Sequence, residues 1–132
     1  ADLDYVDNAR RFDMGERDFF VSLAVAAHSI ELVQSWGIEA VRARMAMLTK
    51  SMADDLQARD IEVSVLNEAY RAPHVLSLGF PNGMPDGFVA ALAAHNVYAA
   101  SRLGRLRISP HVYNDETDCA RLVDAVQHAM GR

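Results

Sequence analysis

From Arg17 onward the apolar residues of this chain recur at intervals of three and four. Phe20, Leu23, Ala27, Ile30 and Val33 form one such series and predict a helix, which Gly37 is placed to end in the left-handed conformation. Ile38, Val41, Met45, Leu48, Met52 and Leu56 form a second series, with Glu39, Arg42, Arg44, Lys50 and Asp54 largely off the stripe. Two antiparallel helices joined at Gly37 are expected. After Asp60 the period changes to two: Ile61, Val63 and Val65 alternate with Glu62 and Ser64, which predicts a strand with one wet face. A second strand is expected over His74 to Phe80. The Pro- and Gly-rich turn after it opens a helix over Phe88, Val89, Leu92 and Ala93, and Asn96 ends that helix. Val97 to Ser101 and Leu106 to Ser109 predict a hairpin around Leu103-Gly104. A last helix, capped by Asn114 or Asp115, carries Cys119, Leu122, Val123, Val126 and Met130 on one face. The order is therefore ααββαββα: an α+β fold with a small, mostly antiparallel sheet and helices on one side. Residues 1–16 have no period and read as an irregular lead-in; residues 17–132 read as a single domain.

Composition narrows the class of function. At 132 residues and 51% hydrophobic content the chain is long and apolar enough for one modest core. Its net charge of −5 argues against attraction to nucleic acid or anionic lipid. No apolar run approaches the roughly 20 residues of a membrane span. The acidic N-terminus does not read as a signal peptide, and a single cysteine suits a reducing cytoplasm.

Most candidate chemistry reduces to ordinary structure. The five histidines lie on different elements without metal-ligand spacing, so no metal site is expected. Cys119 belongs to an apolar helix stripe, where a thiol behaves as a small hydrophobe. Asp54-Asp55 and Asp115-Glu116 read as solvated faces and caps. Arginine stands out, since all but one of the 13 basic residues are arginines and Lys50 is the only lysine. Period two places Arg107 on the strand face opposite Leu106 and Ile108. There it is either a solvated surface charge or a receptor for a carboxylate, which a guanidinium meets through two parallel hydrogen bonds.

Four strings carry a resemblance: Arg11-Phe-Asp-Met-Gly-Glu16, Arg71-Ala-Pro-His74, Asn96-Val-Tyr98 and Leu106-Arg-Ile-Ser-Pro-His-Val-Tyr-Asn114. Their order and spacing, from about Arg10 to Met130, resemble the C-terminal part of class V aminotransferases. These are fold type I enzymes dependent on pyridoxal phosphate, a group that includes cysteine desulfurases, kynureninases and isopenicillin N epimerase-like proteins. The resemblance implies the small domain that closes over a cofactor held mainly by a large domain, in a cytoplasmic homodimeric transferase. It implies that Arg107, matching the arginine of the family's Arg-(Ile/Val/Phe)-Ser motif, binds the α-carboxylate of an amino-acid substrate. His111 and Asn114 lie just beyond, with no role assigned.

The resemblance also makes Gly15 and Glu16 candidates for cofactor binding. Many family members have Gly-Thr there, the threonine reaching the cofactor phosphate of the neighbouring subunit. Glu16 departs from that pair, and a carboxylate beside a phosphate is repulsive. A larger departure concerns the Schiff-base lysine, which in the family belongs to the large domain. Lys50 sits on the wet side of an amphipathic helix, so this chain is expected to be inactive alone. Tyr5, Phe12, Phe19 and Phe20 are expected to leave an apolar patch where the large domain would dock. A desulfurase would need a mobile cysteine on a loop, which Cys119 is not. The alternative to this reading is a stand-alone, non-catalytic α+β module that binds a small ligand or a partner protein.

Overall fold

The computed structural model of the chain describes residues 7–9 and 20–131. The chain divides into two compact units, Ala1–Gly37 and Ile38–Arg132. In the first, helix α1 spans Phe20–Trp36 and carries no buried residue. Gly37, at φ 81°, ends it, its N–H donating to the Gln34 carbonyl over 3.0 Å. Tyr5, Phe12, Gly15, Glu16 and Phe19, all singled out above, lie outside the described residues.

The second unit begins with α2 (Ile38–Ala58), whose buried stripe is Met45, Leu48, Thr49, Met52 and Leu56. The stripe starts later than its sequence suggests, because Ile38 is 56% exposed. Thr49 occupies a core position that the apolar pattern passes over. Its hydroxyl reaches the Pro73 carbonyl at 2.9 Å and so ties α2 to the segment leading into the sheet. A buried hydroxyl is tolerated when it is bonded in this way. The helix ends with Asp60 in the left-handed region at φ 50°, the Asp60 N–H on Gln57 and the Ile61 N–H on Leu56. That crossed pair of bonds places Ile61 against Leu56 in the core.

Four strands follow: β1 (Ser64–Val65), β2 (Leu76–Gly79), β3 (Ala100–Arg102) and β4 (Arg105–Ile108). They pair in the order β1-β2-β4-β3, every pair antiparallel. A one-turn 3-10 helix, Glu68–Tyr70, lies between β1 and β2; α3 (Phe88–Ala94) separates β2 from β3, and α4 (Glu116–Ala129) follows β4. The first strand is shorter than its alternation predicts. Ile61 is buried, Val63 and Val65 are half-buried, and Glu62 and Ser64 are exposed, yet only Ser64 and Val65 find partners, on Gly79 and Leu78. The second strand is also trimmed, since the chain turns through Ala72 to Val75 before pairing begins.

Each chain reversal has a local cause. Asn96 takes φ 58° and ends α3, with the Val97 N–H on the Leu92 carbonyl. Leu103 and Gly104, at φ 52° and 73°, form the two-residue turn between β3 and β4, the geometry that suits the twist of a hairpin. Asp115 caps α4, with Asp118 bonding back to the Asp115 N–H. The inner sheet face (Leu76, Leu78, Leu106, Ile108) packs with Leu48, Met52 and Leu56 of α2, Phe88 and Leu92 of α3, and Leu122, Val123 and Val126 of α4. Each fully buried leucine here contributes about 1.5–3 kcal/mol. With the helices gathered on that face, the other face of the sheet is free to carry polar side chains.

Candidate functional site

Strand β4 is central in the sheet, and its residues alternate between the two faces. Leu106 and Ile108 are buried while Arg107 is exposed and Arg105 half-buried. Both arginines therefore stand on the open face, which also carries their cross-strand partners: Ser77 and Ala100 beside Arg107, and Arg102 beside Arg105. Small residues on both sides leave the Arg107 guanidinium room to reach a ligand.

Arg105 behaves differently from its neighbour. Its Nε donates to the Ser77 hydroxyl over 2.8 Å, and one terminal nitrogen donates to the carbonyls of Ser77 and Ser64 at 3.0 and 3.1 Å. The guanidinium thus lies flat across β2 and β1, over Gly79, where a Cβ would collide with it. Arg105 is a structural clamp that fastens the short edge strand β1 to the sheet and steadies the strand from which Arg107 projects.

Arg107 borders a cavity of about 370 Å³ above this face. The polar part of its lining is Arg107, Arg102, Arg71, Ser77 and Tyr70; the apolar part is Leu66, Ala72 and Val75. Asn67 places the 3-10 turn that delivers Tyr70 and Arg71, its side-chain oxygen accepting from the Ala69 N–H at 2.9 Å. Among the described residues no carboxylate lines the cavity. Parity along β4 placed Arg107 on the open face, where the structure also has it; its choice as a site residue came from the motif resemblance. Arg71 and Arg102 were missed, although Arg102 stands directly across the Leu103-Gly104 turn from Arg105, a pairing that a two-residue turn dictates.

Other sequence candidates lie elsewhere. Asn114 builds the loop before α4: its side-chain oxygen accepts from the His111 N–H at 2.8 Å, and its amide donates to Asp118 at 3.0 Å. It borders a separate hollow of about 300 Å³, whose Asp118 and Arg121 are engaged with each other at 2.7 Å. Cys119 is buried, and that burial pushes its thiol pKa up, so it stays protonated and inert. Lys50 is exposed and bonded to Asp54 at 2.7 Å, a bond that raises the ammonium pKa. Among the described residues no group of three or more His, Cys, Asp and Glu side chains is placed to hold a metal, and no helix is long and apolar enough to cross a membrane.

A small antiparallel sheet packed with helices in an α+β fold is shared with portions of larger solved proteins. A NifS-like protein matches 98% of this chain with a TM-score of 0.75 and 18% identity, using 38% of its own length. The NifS-like protein from Rickettsia africae matches 72% of this chain at TM-score 0.65 and 16% identity. A transaminase, in a structure with L-alanine, matches 84% at TM-score 0.65 and 17% identity. The chain spans 30% and 28% of the length of these last two. At such identities the likeness is one of fold. No family model matches the chain, and no curated protein matches it.

Proposed function

We propose that the chain is the small domain of a pyridoxal-phosphate enzyme of the class V aminotransferase type, and that Arg107 receives the α-carboxylate of its amino-acid substrate. The observation that carries this reading is Arg107 itself: a guanidinium held on a central strand, at the wall of a cavity, with no ion-pair partner among the described residues. The motif strings around it and the fold shared with NifS-like proteins and a transaminase support the same assignment. A strand-borne fork of donors fixes the orientation of a carboxylate better than a loop residue does.

The cofactor itself does not fit the described residues. An amine that is to hold pyridoxal phosphate must lose its proton, and Lys50 is exposed and kept protonated by Asp54. In this reading the Schiff-base lysine is supplied by a large partner domain, and no chemical step is assigned to this chain. Gly15, with the amides that follow it, remains the candidate contact to the cofactor phosphate, and Glu16 stands where the family's threonine would. In this reading the enzyme works as a homodimer.

The test is Arg107→Ala in the protein that includes the large domain. Loss of a charge-assisted carboxylate contact, about 1.5–3 kcal/mol, should lower kcat/KM for the amino acid about ten- to hundredfold. Arg107→Lys should restore only part of it, because an ammonium lacks the two-pronged geometry. Unchanged kcat/KM in Arg107→Ala removes the assignment. Tight, saturable binding of an amino acid by the 132-residue chain alone would favour the stand-alone module instead.

A further inference from the structure

The arginines of this chain divide sharply by what they touch. Arg10, Arg11, Arg17 and Arg132 lie outside the described residues. Of the others, Arg42, Arg44, Arg59 and Arg121 pair with the carboxylates of Glu39, Glu116, Asp124 and Asp118. Arg105 is held by the oxygens of Ser77 and Ser64. That leaves Arg71, Arg102 and Arg107, which have no ion pair or side-chain hydrogen bond among the described residues, and all three line the same cavity.

In a chain of net charge −5, such a grouping is a local reversal of sign. Arg102 moreover stands directly opposite Arg105, and like charges so placed on neighbouring strands repel. Glu68 borders a neighbouring hollow with Arg71, but the two form no ion pair.

One carboxylate on Arg107 would leave two guanidinium groups unmatched. The rest of the lining suits a second acidic group joined to the first by an aliphatic stem. Ser77 already accepts from the Arg105 Nε, so its hydroxyl hydrogen remains available to an acceptor in the cavity. The Tyr70 hydroxyl adds another donor, and Leu66, Ala72 and Val75 offer an apolar wall for methylene groups.

We infer that the cavity selects a dicarboxylate: an amino acid whose side chain ends in a second carboxylate, the first held by Arg107 and the second by Arg71 and Arg102. This rests on the reading of Arg107 as the α-carboxylate receptor and extends it to the class of substrate.

The 132-residue chain itself serves for the test, since no cofactor is required. Glutarate and valerate, which differ only in the second carboxylate, are titrated at low ionic strength and followed by NMR shifts of the amides of residues 71, 102 and 107. A cleft with only these walls should bind in the millimolar range, with glutarate about tenfold tighter than valerate or more. That advantage should shrink as salt is added. Arg71→Gln and Arg102→Gln should each bring glutarate toward the valerate level, while Arg107→Gln weakens both ligands. Arg121→Gln makes the same change in net charge away from the cavity and should alter neither.

Equal affinity for the two ligands in the unsubstituted chain, or no detectable binding, overturns the dicarboxylate inference. So does glutarate binding that Arg71→Gln and Arg102→Gln leave intact; if Arg107→Gln still weakens both ligands, the α-carboxylate reading stands alone. Binding lost in the first two variants but kept in Arg107→Gln removes both assignments.

Discussion

Gly79 and Arg105 share one small volume on the open face of the sheet. A Cβ at position 79 would collide with the Arg105 guanidinium and the Ser64 hydroxyl. The guanidinium is the far end of a flexible side chain and can move, but only by giving up its bonds to Ser77 and Ser64. Gly79→Ala should therefore destabilise the chain by about 1–3 kcal/mol, read as a lower denaturation midpoint. The same substitution in an Arg105→Ala background should cost clearly less, since one of the two colliding groups is gone. Additive effects in that cycle would mean that the clash is not with the arginine. The contrast between neighbouring arginines also shows what was legible at this scale. Strand parity identifies the face on which Arg107 stands. It cannot say that Arg105, on the same face, spends its donors on the hydroxyl and carbonyl of Ser77 and the carbonyl of Ser64, nor that Arg71 arrives at the cavity from a loop. Those facts depend on which segments pack together.

The elements themselves were largely readable where periodicity met a core. The stripe of α4 is buried at Cys119, Leu122, Val123 and Val126, and the left-handed stops at Gly37 and Asn96 are present. The strands were less so, because the length of a ladder is decided by the partner: β1 keeps the alternation of Ile61 to Val65 but pairs at only two residues. The start of α4 carries a prediction of its own. Glu116 is held below the ordinary carboxylate range chiefly by the hydrogen bond from Arg44, and Asp118 chiefly by that from Asn114, with the Asp115 N–H next. Both groups bind protons less tightly folded than unfolded, so their contribution is complete above the unfolded carboxylate pKa of about 4. It is lost as pH falls through the lower folded values. Asp118→Asn should therefore be less stable than the parent at pH 7, and the gap in thermal midpoint should close as pH falls below about 4. A gap that stays constant across that range would show that the Asp118 charge adds nothing beyond its shape.

At the scale of the whole molecule, the feature that calls for explanation is α1. Phe20, Leu23, Val25 and Ile30 are 76%, 63%, 62% and 59% exposed. A helix that is apolar on all sides is normally a buried one, and each such side chain leaves about 1.5–3 kcal/mol of burial unrealised. The chain spans 38% of the length of a NifS-like protein that shares its fold, and under the function proposed above the cover for this helix is the large domain. Without that domain the 132-residue chain should self-associate in sedimentation experiments and bind a hydrophobic dye. Replacing Leu23 and Ile30 together by glutamate should suppress both effects. It should leave the unfolding of the second unit unchanged, because neither residue belongs to that unit's core. With the large domain supplied, the parent should assemble with it and the Leu23→Glu, Ile30→Glu variant should not. A dye-silent monomer, or a doubly substituted chain that still joins the large domain, would show that α1 is not the docking element.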